Sequence, residues 1–181
     1  MPQRVKTIYV LNPEFPSLAW LARLDWGSRE LRVEHGPAVE VNPRFFFEGA
    51  WAGEFVLGRP DATEVAFGTG CVILEDDVCF VSSLATTDYL YYQAGEDIIT
   101  VSNSLALLLA EIEDSLDPAF TRYDEINNTI LKGVIAYERD IPTLRGRVHR
   151  LMHHNLTCSP GQATEAKKPD SPEFFLVSLC A

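Results

Sequence analysis

Two apolar runs around a three-residue acidic step, followed at once by two more around a glycine-containing step, constrain this 181-residue chain more than any other feature. Cys71 to Leu74 and Val78 to Ser82 flank Glu75-Asp76-Asp77, and Tyr89 to Tyr92 and Ile98 to Val101 flank Ala94-Gly95-Glu96-Asp97. Strands joined by so few residues can pair only antiparallel, so both units predict hairpins. Gly95 is suited to the positive φ of a tight turn. The middle of the chain therefore reads as antiparallel β.

The second hairpin feeds a helix to about Glu113, for which Ser102, Asn103 or Ser104 can cap the first turn and Leu105, Leu108, Leu109 and Ile112 form the buried stripe. A second helix is expected from the cap Asp117 and Pro118 to Gly133, with Phe120, Tyr123, Ile126, Ile130 and Leu131 on its apolar face. Upstream, Val5 to Leu11 reads as a strand, Leu31 to Val33 and Ala38 to Val41 as short strands, and Pro16 to Leu24 shows mostly helical spacing of Leu18, Trp20, Leu21 and Leu24. Phe45, Phe46, Phe47 and Trp51 are expected in a core, before a turn at Gly58-Arg59-Pro60-Asp61. Downstream, Val134 to Tyr137 and Val148 to Met152 read as strands around Ile141-Pro142-Thr143. The polar, proline-punctuated Ser159 to Pro172 reads as a linker, after which Phe174 to Val177 starts a further element. The fold class is α+β, with one domain over residues 1–158 and a linker over 159–181.

With 46% hydrophobic residues, the chain can bury one sizeable core. A formal net charge of -11 with scattered Lys and Arg repels phosphate backbones and anionic bilayers, so neither nucleic acid nor a membrane is an expected partner. No apolar run reaches the roughly 20 residues that span a bilayer, and the amino terminus lacks a signal-peptide core, which together predict the cytoplasm. Cys71, Cys79, Cys158 and Cys180 form no CxxC pair and read as buried small hydrophobes.

Candidate chemistry is sparse. His149, His153 and His154 would place two imidazoles on one face of a helix, but on a strand they alternate, and no carboxylate or cysteine stands at ligand spacing. Glu75, Asp76 and Asp77 read as a solvated hairpin tip. Cys71, behind Gly68-Thr69-Gly70, is a nucleophile candidate for a self-processing hydrolase, set against the ordinary reading of an inert thiol. Thr87 and Asp88, with Ser102 and Asn103, gather small polar groups near strand ends and are the candidate ligand-binding residues. P-loop, dinucleotide, GxSxG and HExxH motifs are missing, and no cofactor or metal is expected.

The run from Gly68 to Ala110 resembles the second half of the amino-terminal glutaminase domain of asparagine synthetases and related class II glutamine amidotransferases. In that family a glycine-containing turn, a hairpin strand, a Leu-Tyr-Tyr strand, a further strand, a short polar step and a leucine-rich helix follow one another. Gly68-Thr69-Gly70, Val78 to Ser82, Leu90-Tyr91-Tyr92, Ile98 to Val101, Ser102-Asn103-Ser104 and Leu105 to Ala110 take those places. The resemblance implies an Ntn-hydrolase-like fold of two stacked, mainly antiparallel sheets with few flanking helices. It extends in pattern through Ile141-Pro142-Thr143, Val148 to Leu151 and His154 to Pro160, about half of the chain.

The family attacks glutamine with an amino-terminal cysteine whose own amine is the base. Here the chain starts Met1-Pro2-Gln3, and neither Asn42-Pro43-Arg44 nor Phe47-Glu48-Gly49 supplies the family's substrate-holding arginine or its Asn-Gly-Glu step. The expectation is a degenerate glutaminase-like domain without activity of its own, partnered by an ATP-dependent synthetase-type domain in the same or another chain. A small-ligand or peptide-binding module and a Cys71-dependent amidohydrolase are the alternatives, and self-association is left open.

Overall fold

The computed structural model describes residues 4–53, 57–63, 65–133 and 136–168. Among them are β1 (Lys6–Leu11), β2 (Trp20–Asp25), β3 (Glu30–His35), β4 (Glu40–Asn42), β5 (Phe45–Trp51), β6 (Ala66–Ile73) and β7 (Val78–Val81). There follow β8 (Leu90–Ala94), β9 (Ile98–Ser102), α1 (Leu105–Glu111), α2 (Tyr123–Asn128), β10 (Asp140–Thr143), β11 (Gly146–Leu151), β12 (His154–Ser159) and β13 (Gln162–Lys167). Short 3-10 turns occupy Pro60–Ala62 and Thr129–Lys132.

The strands form a seven-stranded sheet, ordered β1-β3-β2-β9-β8-β11-β10, and a six-stranded sheet, ordered β13-β12-β7-β6-β5-β4. Both expected hairpins are present, β6 with β7 in the second sheet and β8 with β9 in the first. Pairing is antiparallel except between β1 and β3, which run parallel with β3 wedged between β1 and β2.

The inner faces meet in one apolar cluster, to which Trp20, Leu24, Leu31, Val33 and Val101 come from the first sheet and Phe46, Cys71, Phe80 and Leu156 from the second. Trp20, fully buried, joins the layers: its ring lies 4.9 Å from Phe46 and 6.2 Å from Phe80. On the outer face of the first sheet Leu108 and Leu109 of α1 pack with Ile141 and Val148. The outer face of the second carries Phe45, Phe47, Val72, Cys79 and Val81, with Trp51 against them. The class is α+β, mostly β, with two sheets and two helices among the described residues. No helix there is long and apolar enough to cross a membrane.

Several expectations are corrected. The Pro16 to Leu24 helix is absent: Trp20–Asp25 is strand β2, buried on both faces, so its alternation is hidden in the sequence. The second helix begins at Tyr123, not beside Pro118, because the Asp117 carboxylate is spent on a local turn, accepting from the Ala119 amide at 2.9 Å. Leu131, placed on its apolar face by the sequence, is 86% exposed. Gly68-Thr69-Gly70 lies inside β6, and Gly95 closes its turn without a positive φ. Ser159 to Lys167 is no linker, since β12 and β13 pair from His154↔Lys167 to Ser159↔Gln162. Tyr137 is not in a strand; Val134, Ile135, and the whole of Pro169 to Ala181, with Phe174 to Val177 and Cys180, lie outside the described residues.

Candidate functional site

The polar residues converge at one end of the space between the sheets. Glu48 on β5 stands opposite Thr69 on β6, and the next pair inward along the ladder is Gly49 with Gly68. Both glycines have positive φ, 119° and 112°, and a Cβ on Gly68 would come within 1.8 Å of the Glu48 carbonyl. Only glycine permits that approach. It lets the Glu48 carboxylate turn back onto Thr69, where Oε1 accepts from the amide at 2.8 Å and from the hydroxyl at 2.8 Å. Thr69 Oγ1 in turn accepts from Trp20 Nε1 at 3.0 Å, so the cluster bridges the two sheets.

Two of the sequence candidates complete this bridge. Ser102 Oγ donates to the Trp20 carbonyl at 2.6 Å, and Asn103 Oδ1 accepts from the Trp20 amide at 3.0 Å. Asn103 Nδ2 donates to the Leu18 carbonyl at 2.9 Å. The other two candidates form an adjoining group, in which Asp88 accepts from Ser83 Oγ at 2.9 Å and from Thr87 Oγ1 at 3.2 Å. Ser83 Oγ also accepts from the amides of Gly68 and Ala85, which ties this loop to β6.

The groups meet electrostatically at Glu48. Burial raises its pKa; the hydrogen bonds from Thr69 oppose the rise, and the Asp88 carboxylate adds to it. Thr87 is exposed, and Asp88 and Asn103 are half-buried. The arrangement is thus a polar floor of saturated hydrogen bonds with a carboxylate rim open to solvent, able to hold a ligand carrying N–H donors. The sequence pointed to Thr87, Asp88, Ser102 and Asn103, but missed Trp20, Glu48, Thr69 and Ser83. The usable signal was the pair of glycine-flanked steps, Glu48-Gly49 and Gly68-Thr69.

Cys71 offers no nucleophile. It is fully buried between the sheets, and burial, reinforced by Cys79 and Cys158, pushes its pKa well above the ordinary thiol value. A thiol held protonated and out of reach fills space. The three histidines disperse: His149 faces Asp140 at 2.8 Å, His154 contacts the Met152 carbonyl and Arg139, and His153 sits in the β11–β12 turn with φ 57°. Among the described residues no three His, Cys, Asp or Glu side chains gather as metal ligands would. Asp77 at the acidic tip accepts from Ser159 Oγ at 2.6 Å, fastening the β6–β7 turn to the end of β12.

No family model matches this chain, and no curated protein matches it.

Proposed function

We propose that this chain is a glutaminase-like domain of the asparagine synthetase type that keeps the scaffold without amide cleavage and docks with an ATP-dependent, amide-forming synthetase domain, in the same or another chain. An Ntn-hydrolase-like topology is part of the proposal. The observation that carries it is the layout of Gly68 to Ala110 as two successive hairpins in facing sheets, ending in α1 capped by the Ser104 hydroxyl. The disposition of the thiol and hydroxyls supports the same reading: Cys71 is sealed in the core, and the hydroxyls of Thr69, Ser83 and Ser102 are fully buried and committed to internal hydrogen bonds, while the exposed Thr87 hydroxyl donates to Asp88. The test pairs glutamine turnover with association. The purified chain is expected to release no glutamate above the protein-free rate, and to form a complex with an amide-forming synthetase domain in sedimentation velocity. Glutamine turnover by the chain, or failure to associate, sinks the proposal.

A second reading, a small-ligand module, is favoured by the half-buried Asp88 and Asn103 around the Glu48 carboxyl. It requires a ligand-dependent rise in melting temperature that Asp88→Ala abolishes.

A further inference from the structure

Beyond the last residue of β2, at the end of the strand remote from the Glu48 site, the protein holds a cavity of about 240 Å³. Trp20, tied into the bridge around Glu48, opens β2, whereas Trp26, which lines the cavity, directly follows its end. The residues that line it, with their neighbours along the chain, all belong to the described part. Buried Trp26, Tyr92 and Ile99 supply apolar wall, and the exposed β8–β9 and β12–β13 turns bring Glu96 and Gln162 to it.

His149 joins this wall from β11. It stands opposite Asp140 on β10 and Tyr92 on β8, with its ring stacked on Tyr92 at 4.8 Å and its Nδ1 2.8 Å from Asp140 Oδ1. A ring nitrogen that close to a carboxylate carries the hydrogen, which in a neutral imidazole leaves Nε2 as an acceptor. The neighbouring charges are matched: Asp140 also meets Arg147 at 2.7 Å, and Glu165, which accepts from the Tyr92 hydroxyl, is paired with Arg139. Glu96 is not, since among the described residues its carboxylate has no hydrogen bond or ion pair. The turn that carries it is nonetheless fixed, by the Gly95 amide on the Ile98 carbonyl at 2.8 Å and the Trp26 amide on the Asp97 carbonyl at 2.9 Å. An anchored, unpaired carboxylate and an imidazole acceptor beside aromatic rings suit a cation that has N–H donors and a flat apolar body. The size suits one six-membered ring with a short arm, given that a dry cavity of about 150 Å³ holds benzene.

We propose that this cavity binds a small aromatic ammonium, its N–H groups at Glu96 and His149 and its ring against Trp26. The assignment stands apart from the site around Glu48 and does not rest on the glutaminase-like reading of the chain.

Calorimetric titration of the full chain with benzylammonium, at mildly alkaline pH where an imidazole is neutral and the amine still charged, tests the assignment. Saturable binding is expected, with the uncharged benzyl alcohol and the ringless methylammonium each about tenfold weaker or more, since each supplies only half of the interaction. Glu96→Gln, on an exposed turn, is expected to keep the wild-type melting temperature and to lose about tenfold in affinity. Asp97→Asn removes the same charge one residue along, outside the cavity lining, and is expected to bind like wild type, which separates a site from the general attraction of a chain of net charge -11. His149→Phe keeps a ring against Tyr92 without the acceptor and should also weaken binding. The assignment is overturned if benzylammonium does not saturate, if benzyl alcohol or methylammonium binds equally well, if folded Glu96→Gln or His149→Phe binds like wild type, or if Asp97→Asn loses as much as Glu96→Gln.

Discussion

Glu48 accepts hydrogen bonds from both the amide and the hydroxyl of Thr69, yet burial still raises its pKa above that of the unfolded chain. An acid with a raised folded pKa favours folding most when protonated in both states. The disadvantage of ionising it in the fold develops as pH rises from the unfolded pKa through the folded one. Wild type should therefore lose stability relative to Glu48→Gln across that window, and thermal melts at pH 4 and pH 7 should show the difference narrowing or reversing towards pH 7. A pH-independent difference contradicts this. Arg150 poses a different problem, because it is 2% exposed and its guanidinium reaches only neutral acceptors: Asn127 Oδ1 at 2.7 Å and the carbonyls of Ile126 and Glu138 at 3.2 and 3.0 Å. Tyr89 and Tyr137 lie 5.1 and 5.7 Å from it and supply ring faces in place of a carboxylate. Lysine keeps the charge but cannot span this fork, so Arg150→Lys is expected to cost about 3 kcal/mol in denaturant unfolding. A loss under about 1 kcal/mol would mean that the charge alone suffices.

Elements in this fold depend on a few backbone positions. Gly68 and Gly133 both have positive φ, but a Cβ at Gly68 collides with the Glu48 carbonyl, whereas nothing lies within 4 Å of one at Gly133. Gly68→Ala should cost more than about 3 kcal/mol or prevent folding, and Gly133→Ala only about 1 kcal/mol, the strain of the dihedral alone. Equal losses in urea unfolding would show that close approach is not what β5 and β6 require. The same elements show where the sequence was legible. The β6–β7 and β8–β9 hairpins and the Ser104-capped α1 were readable because turn, apolar run and cap coincide locally. Strand β2 was misread because Leu21 as well as Trp20, Ala22 and Leu24 is buried, which erases the period of two. Strand β13 was missed because an exposed edge strand reading QATEAK is held by backbone pairing and carries no apolar run. Half of the candidate site was readable as small polar residues at strand ends. Glu48 and Thr69 were not, since their meeting depends on two strands whose pairing the sequence does not state.

Across the whole molecule, the sandwich is pinned at one end by Trp20 with Glu48, Thr69 and Asn103, whereas β1 is strand-paired along one side and tied to the second sheet through Tyr9, whose hydroxyl donates to the Asn42 carbonyl at 2.8 Å. Among the described residues it lies at the border of its sheet and pairs with β3 alone, in parallel, although β2 follows it directly in the chain. The surface that β1 occupies does not exist until β2 and β3 have folded back on each other. Strand β1 is therefore placed after the β2–β3 hairpin, and opening it leaves the other strand pairings among the described residues intact. Hydrogen exchange should show the amides that β1 shares with β3 losing protection well before those between β2 and β9; simultaneous loss would mean that the border strand is integral to the cooperative unit. A partner able to offer a parallel strand of its own would find its berth there, vacated without unfolding the rest.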